Sequence, residues 1–389
     1  MSAELAIVIP TRNRSDFARL AIGSVVSQLA GERVRVIVSD NSTDEGQSAE
    51  LAEFVAALGC DAVTLIRPSG SMAMTEHWEW AVSRAMELVC PTHLLILTDR
   101  MAFKRGALET VLGAVSRFPN EIVSYTYDRV DDSSSPVRYL ELPRTGRLYR
   151  MPATELLALS ARMQFFSFLP RMLNCVVPVP IINQLRNVHG TLFASVSPDY
   201  CFCYRALDSV TSIVYLDESV LVNYGQLRSN GASFGRGVNS ADSVDFINAV
   251  GMTKINSMTP VPQILTVGNA VAHEYLSVAA GSKSGKFPAL SREAYLRFLG
   301  LEHLRFADAR QRDEGLRTLR SEGLRQDLNF HISAAKQAVE KILVRILSRR
   351  FSTMEAAVSF ATQRGSRRKA WLRFILRRYQ LGTLVSTSN

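Results

Sequence analysis

Three short stretches carry side chains suited to a polar ligand, and each follows an apolar run. Pro10-Thr11-Arg12-Asn13-Arg14 follows Leu5–Ile9, Asp40-Asn41-Ser42-Thr43-Asp44 follows the run at Val34–Val38, and Thr98-Asp99-Arg100 follows His93–Leu97. At each one, aliphatic residues give way to hydroxyls, amides, carboxylates and guanidinium groups. That mixture suits a nucleotide: an acceptor for a base N–H, hydroxyl and amide groups for ribose, and cations or a metal ion for a diphosphate. In open α/β sheets, ligands bind in the crevice outside the carboxyl ends of the strands. One aspartate at a strand end is also an ordinary cap for the next helix. The reading therefore rests on the three ends together.

The elements that must position them alternate. Apolar runs at Leu5–Ile9, Val34–Val38, Ala62–Ile66, His93–Leu97 and Ile122–Tyr127 read as strands. Helical spacing occupies Asp16–Leu29, Ala49–Leu58, Thr75–Leu88 and Arg105–Arg117. Strands separated by helices of this length predict an α/β, doubly wound, mostly parallel sheet. Asp131–Pro136 reads as a turn, Val137–Leu142 with Arg147–Tyr149 as a hairpin, and Ala153–Met163 as a helix. Phe165–Ile182 is apolar but broken by prolines and suits a groove wall. Thr211–Leu216 reads as a strand, Gly225–Gly237 as a Gly/Ser/Asn-rich loop, and the chain after about Gly268 as mainly helical.

The bulk numbers narrow the classes. In 389 residues with 47% hydrophobic content, a sizeable core is available. No G-x-G-x-x-G follows the first strand and no G-x-x-x-x-G-K-[ST] occurs, which speaks against dehydrogenases and P-loop NTPases; Gly235-Arg236-Gly237 is too short for either. Five scattered cysteines, with Cys201 and Cys203 as the one close pair, read as buried free thiols in a reducing compartment rather than as a zinc site. The N-terminus lacks the pattern of a signal peptide, and no run is long enough to span a membrane; Arg171, Asn174 and three prolines interrupt Phe165–Ile182. The net charge of +9 is concentrated: residues 336–378 hold twelve Lys/Arg against two Asp/Glu, so the remainder is close to neutral. That pattern argues for a basic C-terminal patch with an anionic partner and against nucleic acid as a partner of the body.

The opening Ile7-Val8-Ile9-Pro10-Thr11-Arg12-Asn13-Arg14 and the later Val38-Ser39-Asp40-Asn41-Ser42-Thr43-Asp44 resemble the family 2 glycosyltransferases. Ser71-Met72-Ala73-Met74-Thr75-Glu76-His77-Trp78 ahead of Thr98-Asp99-Arg100 is similar to a segment of that family, and Ser197-Pro198-Asp199-Tyr200 to its later catalytic segment. The resemblance covers roughly residues 4–130. It implies a GT-A fold over residues 1–240; beyond it, the sequence pattern reads as a helical region at 241–335 and a basic amphipathic tail at 336–389. The resemblance also implies inverting transfer of a sugar from a nucleotide-diphosphate sugar to a hydroxyl-bearing glycan or lipid-linked acceptor, in cell-surface polysaccharide or glycan assembly. The free thiols and the basic tail point to the cytoplasm, peripherally on the inner face of the membrane. Thr11, Asn13, Arg14, Asp40, Ser42, Asp99 and Arg100 would hold the nucleotide-sugar, with Asp40 accepting from the base. Asp99 stands where the family keeps a D-x-D aspartate for a divalent metal, Mg²⁺ or Mn²⁺. The second aspartate is missing, and Arg100 and Met101 follow instead. Either one carboxylate with diphosphate oxygens and waters holds the metal, or Arg100 itself balances the diphosphate. Asp199 is the candidate general base for the acceptor hydroxyl; Ser-Pro-Asp is equally a good helix start. Tyr200, Phe202 and Tyr204 could form part of an acceptor wall.

Other readings stay open. His77, beside Trp78 and Trp80, reads as a packed histidine, and Gly190 as a turn. Arg228-Ser229-Asn230-Gly231 is either a lid over the diphosphate or a plain Asn-Gly turn. Val339, Ile342, Leu343, Ile346 and Leu347 share one helix face among basic residues, and Trp371, Leu372, Ile375, Leu376 and Tyr379 share another. Both fit an anionic membrane surface or helices docked on the body. Two rivals remain to the transferase: a non-catalytic sugar-nucleotide-binding or scaffold protein, and a nucleotidyltransferase.

Overall fold

The apolar runs of the first half form the strands expected of them. β1 (Leu5–Thr11), β2 (Val34–Asp40), β3 (Val63–Ile66) and β4 (His93–Ile96) lie parallel, with β1 between β2 and β4. This computed structural model describes residues 4–31, 33–228, 255–306, 308–365 and 383–385. α1 (Ser15–Val26), α2 (Glu45–Ala57) and α3 (Met74–Val89) connect the parallel strands. β1 reads as an unbroken apolar run because both of its faces are covered. Leu5, Ile7 and Ile9 face a core with Ala18, Ile22 and Val25 of α1, while Ala6 and Val8 face one with Trp78, Ala81 and Val82 of α3.

Further along, the sheet is mixed. β5 (Met101–Phe103), α4 (Ala107–Arg117), β6 (Val123–Asp131), β7 (Val137–Leu140), β8 (Leu148–Pro152) and α5 (Ala153–Ala161) come next. β9 (Cys175–Pro178), α6 (Val179–His189), α7 (Pro198–Ser209) and β10 (Ser212–Asn223) then complete the sheet region. The α/β, doubly wound expectation holds, but three features depart from the sequence reading. The proline-broken stretch at 165–182 contains β9, a short antiparallel strand between β4 and β6; Pro178 is tolerated there because it closes the strand. β7 and β8 are not a hairpin: β7 pairs with β6, whereas β8 pairs with β10. β5 pairs antiparallel with the far end of β10, which runs well past the expected Leu216.

Among the described residues after 254, helices predominate, as expected. α8 (Val267–Gly281), α9 (Arg292–His303), α10 (Ala309–Ser321) and α11 (Leu328–Leu347) follow in turn, with Tyr295, Leu299, Leu316, Leu319 and Phe330 in a separate core. The stretch read as a tail returns to the body. β11 (Arg349–Phe351) pairs with β7, α12 (Met354–Thr362) buries Ala357, Val358 and Ala361 against Phe17, Val222 and Tyr224, and β12 (Thr383–Leu384) pairs with β8. An open strand edge presents unpaired N–H and C=O groups, and these returning strands cover two of them. The apolar set from Trp371 to Tyr379 lies outside the described residues. Among the described residues no helix is long and apolar enough to cross a membrane. Cys175, Cys201 and Cys203 are buried free thiols, whereas Cys90 is exposed and Cys60 half-buried.

One buried ion pair fixes the strands that follow Asp99. Lys104, at the end of β5, sends Nζ to Asp128 Oδ2 on β6 at 2.6 Å, and Tyr139 Oη of β7 donates to the same oxygen at 3.0 Å. Neither charged side chain reaches solvent. Glu141 Oε1 lies a further 3.8 Å from Nζ, so loss of Asp128 leaves the buried ammonium with only a distant carboxylate partner. Asp128→Asn is therefore expected to lower unfolding free energy by about 3–5 kcal/mol, read from the urea midpoint.

Candidate active site

Register alone brings two of the three strand ends together. Thr11 stands opposite Asp40 across the β1–β2 ladder. On the other side, Thr11 Oγ1 donates to Asp99 Oδ2 at 3.0 Å, and Arg14 Nη1 lies 3.5 Å from Asp99 Oδ1. Asp40 and Asp99 are 1% and 3% exposed. Asp40 accepts from the Ser42 N–H at 2.9 Å and from Ser48 Oγ at 2.5 Å; each carboxylate oxygen keeps a second lone pair for a ligand donor.

Asn13 ties two loops together. It sits at φ +53°, a left-handed conformation that asparagine tolerates. Its N–H donates to Ser42 Oγ at 2.9 Å, its Oδ1 accepts from the N–H groups of Thr43 and Asp44, and its Nδ2 donates to Thr43 Oγ1. The resulting edge opens into a cavity of about 460 Å³ lined by Asp40, Ser42, Thr43, Arg67, Ser69 and Ser71, among others. Asn41 pins the far wall, donating to the Met72 carbonyl at 2.9 Å and accepting its N–H at 3.0 Å. Arg67, absent from the sequence reading, donates to the Ser42 carbonyl and to Glu45. It follows the third strand directly, so the rule applied to the other strand ends would have found it.

Asp99 and Arg100 occupy the turn from β4 into β5. Tyr224, just after β10, holds that turn: Oη donates to the carbonyls of Asp99 (3.0 Å) and Phe17 (3.2 Å), and its N–H donates to the Arg100 carbonyl. Gly225 follows at φ +67°, where a Cβ would come 2.5 Å from the Phe17 ring. Only glycine suits both conditions. Burial pulls the Arg100 guanidinium below its ordinary pKa, while Asp99 beside it pulls the other way.

Asp199 lies in the first turn of α7. Ser197 is the N-cap, so Asp199 does not cap the helix. Its side chain is 19% exposed, and Oδ2 lies 3.9 Å from Arg171 Nη1. Burial raises its pKa; Arg171, the N–H groups of Tyr200 and Asp199, and Arg100 offset part of the rise. Arg100 is the weakest of these influences on Asp199. Thr11 links the ends that carry Asp40 and Asp99, by register on one side and through its hydroxyl on the other. Arg171 also donates Nη2 to Tyr127 Oη at 2.9 Å and stacks over Tyr200 at 5.3 Å. Buried Asn174 shapes its loop, donating to the carbonyls of Tyr125, Ser167 and Leu169 and accepting the Arg171 N–H. A lone arginine inside the apolar run at 165–182 was the signal for this residue. Of the expected acceptor wall, Tyr200 is half-buried beside the cleft, but Phe202 and Tyr204 are wholly buried in the core.

Around Asp99 the protein's own donors and acceptors are few. The two carboxylate oxygens face a hydroxyl and a guanidinium, Met101 is buried on β5, and among the described residues no three His, Cys, Asp or Glu side chains converge. His77 is packed as expected: Nε2 meets Ser39 Oγ at 2.8 Å, and burial pushes it down to about 4, so the ring is neutral. Gly190 ends α6 at φ +76°, in a turn. Arg228 bonds the Asn13 carbonyl and Asp16; the rest of that loop lies outside the described residues.

No protein-family model and no curated protein matches the chain. Among solved structures, the chain is similar to S. aureus TarS 1-349 in complex with UDP-GlcNAc, at 10% identity and a TM-score of 0.46, over 84% of this chain and 93% of that one. S. aureus TarS 1-349 on its own gives 11% identity and 0.45 over the same shares. S. aureus TarS gives 10% and 0.43 over 83% of this chain and 53% of that one.

Glu274 of α8 holds the approach to Asp199. Its Oε1 accepts the N–H groups of Val196 (2.8 Å) and Ser197 (2.7 Å), and burial raises it to about 8 against those bonds. A carboxyl raised on folding favours the folded state below its unfolded pKa, and that contribution is lost as pH rises through the folded value. Glu274→Gln keeps the acceptor oxygen and removes the titration. Thermal midpoints of wild type and variant are expected to converge near pH 4.5, with the variant becoming the more stable by pH 8.

Proposed function

We propose that the chain is a GT-A glycosyltransferase that moves a sugar, with inversion, from a nucleotide-diphosphate sugar to an acceptor hydroxyl. The observation that carries this reading is the meeting of Thr11, Asp40 and Asp99 at one edge of the sheet, with a polar cavity beside Asp40; the reading sets Asp199, at the start of α7, across from them. The cavity beside Asp40, Ser42 and Arg67 takes the nucleoside, with Asp40 accepting from the base. Arg14 and Arg100, flanking Asp99, face the diphosphate, where charge-assisted bonds to leaving oxygens are strong. The sugar then lies between them and Asp199.

In the reaction, the acceptor oxygen attacks the anomeric carbon from the face opposite the diphosphate, and Asp199 takes its proton as the new C–O bond forms. The anomeric C–O bond breaks, and its electron pair leaves with the diphosphate, whose charge Arg14 and Arg100 balance. Burial raises Asp199, which makes it a better base than an ordinary carboxylate. Arg171, 3.9 Å away, offsets part of that rise. The acceptor belongs to the hydroxyl-bearing glycan or lipid-linked class, in cell-surface polysaccharide or glycan assembly.

A panel of UDP-, GDP- and dTDP-sugars, UDP-GlcNAc included, tests the reading through donor hydrolysis or transfer. No turnover with any donor, alongside tight binding of one, would favour the non-catalytic binding protein. Asp199→Asn is expected to lower turnover by about 10²–10⁴-fold while leaving donor affinity in place; equal loss of both returns Asp199 to a structural role. On the reading that Arg14 and Arg100 balance the diphosphate, activity should persist in excess chelator and fall in Arg14→Gln and Arg100→Gln. Loss of activity on chelation, restored by Mg²⁺ or Mn²⁺, would reinstate the metal.

A further inference from the structure

α11 is built inside out. On a 3.6-residue turn, Leu328, Ile332, Ala335, Val339, Ile342, Leu343, Ile346 and Leu347 fall within about 140° of one another and run the full helix, about 30 Å. That stripe faces solvent: Leu328 is 74% exposed, Val339 54%, Ile346 70% and Leu347 69%. The opposite face makes the attachment. Phe330 is buried, Ala334 packs on the helical core, and Gln337 accepts from Arg305. A helix attached through its less apolar face, with its most apolar face outward, is presenting a surface to something else.

Charge decides between the occupants. The stripe contains heptad spacing, with Ile332, Val339 and Ile346 alternating with Leu328, Ala335 and Ile342, which would suit a second copy. Yet the flanking positions are His331, Ala338 and Arg345 on one side and Asn329, Lys336 and Leu343 on the other. No carboxylate stands there to pair with a neighbour's cations; Glu340 is the single acid of the helix and lies off the flanks. The stripe is also wider than a two-helix seam, because Leu343 and Leu347 broaden it. A wide apolar face edged by cations matches an anionic bilayer surface. Arg349 and Arg350 extend the basic edge just past the helix, while the chain outside residues 336–378 is close to neutral.

We infer that α11 is an in-plane membrane anchor, its apolar stripe entering the interface of an anionic bilayer while Lys336, Arg345 and Arg350 meet lipid phosphates. The tethered body stays outside the bilayer. This inference stands apart from the transferase reading, since it concerns where the protein sits.

The experiment is co-sedimentation of the full chain with phosphatidylcholine vesicles, with and without phosphatidylglycerol. Wild type should sediment with the anionic vesicles only. The double variant Ile342→Ser/Ile346→Ser, at exposed positions, should bind about tenfold or more weakly with unchanged thermal stability. Arg345→Glu should weaken binding and leave its partition onto neutral vesicles unchanged. Absence of wild-type binding overturns the inference. So does equal binding by the double variant, which would assign membrane attachment to residues 364–389. A concentration-dependent dimer in sedimentation velocity that the double variant abolishes, without vesicle binding, would assign the stripe to a second copy. A destabilised double variant with unchanged vesicle binding would assign it to another part of the same chain.

Discussion

The hydrogen bond from Thr11 to Asp99 joins the ends of two neighbouring parallel strands, and the candidate site depends on it. A bond to a charged group is worth about 1.5–3 kcal/mol, and here it also sets direction. It turns the Asp99 carboxylate toward β1, within reach of Arg14, and leaves Arg100 to extend toward Gly225 just after β10. The β1–β2 register carries the arrangement on to Asp40. Tyr224 closes the other side, so the strand-end turn is held by its carbonyls as well as by its side chain.

Within the cleft, charge is balanced by side chains of the chain itself. Arg14 and Arg100 attend Asp99, and Arg171 attends Asp199 from a stack on Tyr200. Buried carboxylates are costly without such partners. Arg100 also donates to the Gly225 carbonyl at 3.4 Å, which ties the Asp99 turn to the end of β10. Glu274 and Asn174 act at one remove, shaping the loops that carry Asp199 and Arg171.

The C-terminal region divides between two kinds of surface. β11, β12 and α12 cover strand edges and a core face of the sheet, which accounts for part of the basic stretch as ordinary packing. α11 departs from that pattern, since its apolar side is turned away from the protein. Local sequence signals an amphipathic helix in both places; the direction each face takes is a property of the assembled chain.

Much of the first half was legible from sequence. Leu5–Ile9, Val34–Val38 and His93–Leu97 form parallel strands because two-sided burial demands continuous apolar runs, and Thr11, Asp40 and Asp99 fall at one edge because parallel strands end there together. β9 and β5 were not legible, being short strands defined by partners distant in the chain rather than by their own periodicity. Phe202 and Tyr204 looked available on a pattern that does not say which side of α7 meets the core, and Arg171 gained its role only when Asn174 folded its loop toward Asp199. Sequence by itself determined which residues lie at the strand ends, because that order is local and fixed by covalent spacing. The tertiary structure alone decided which charges face one another across the cleft and which face of α11 looks outward, because both depend on contacts between segments that the chain brings together only on folding.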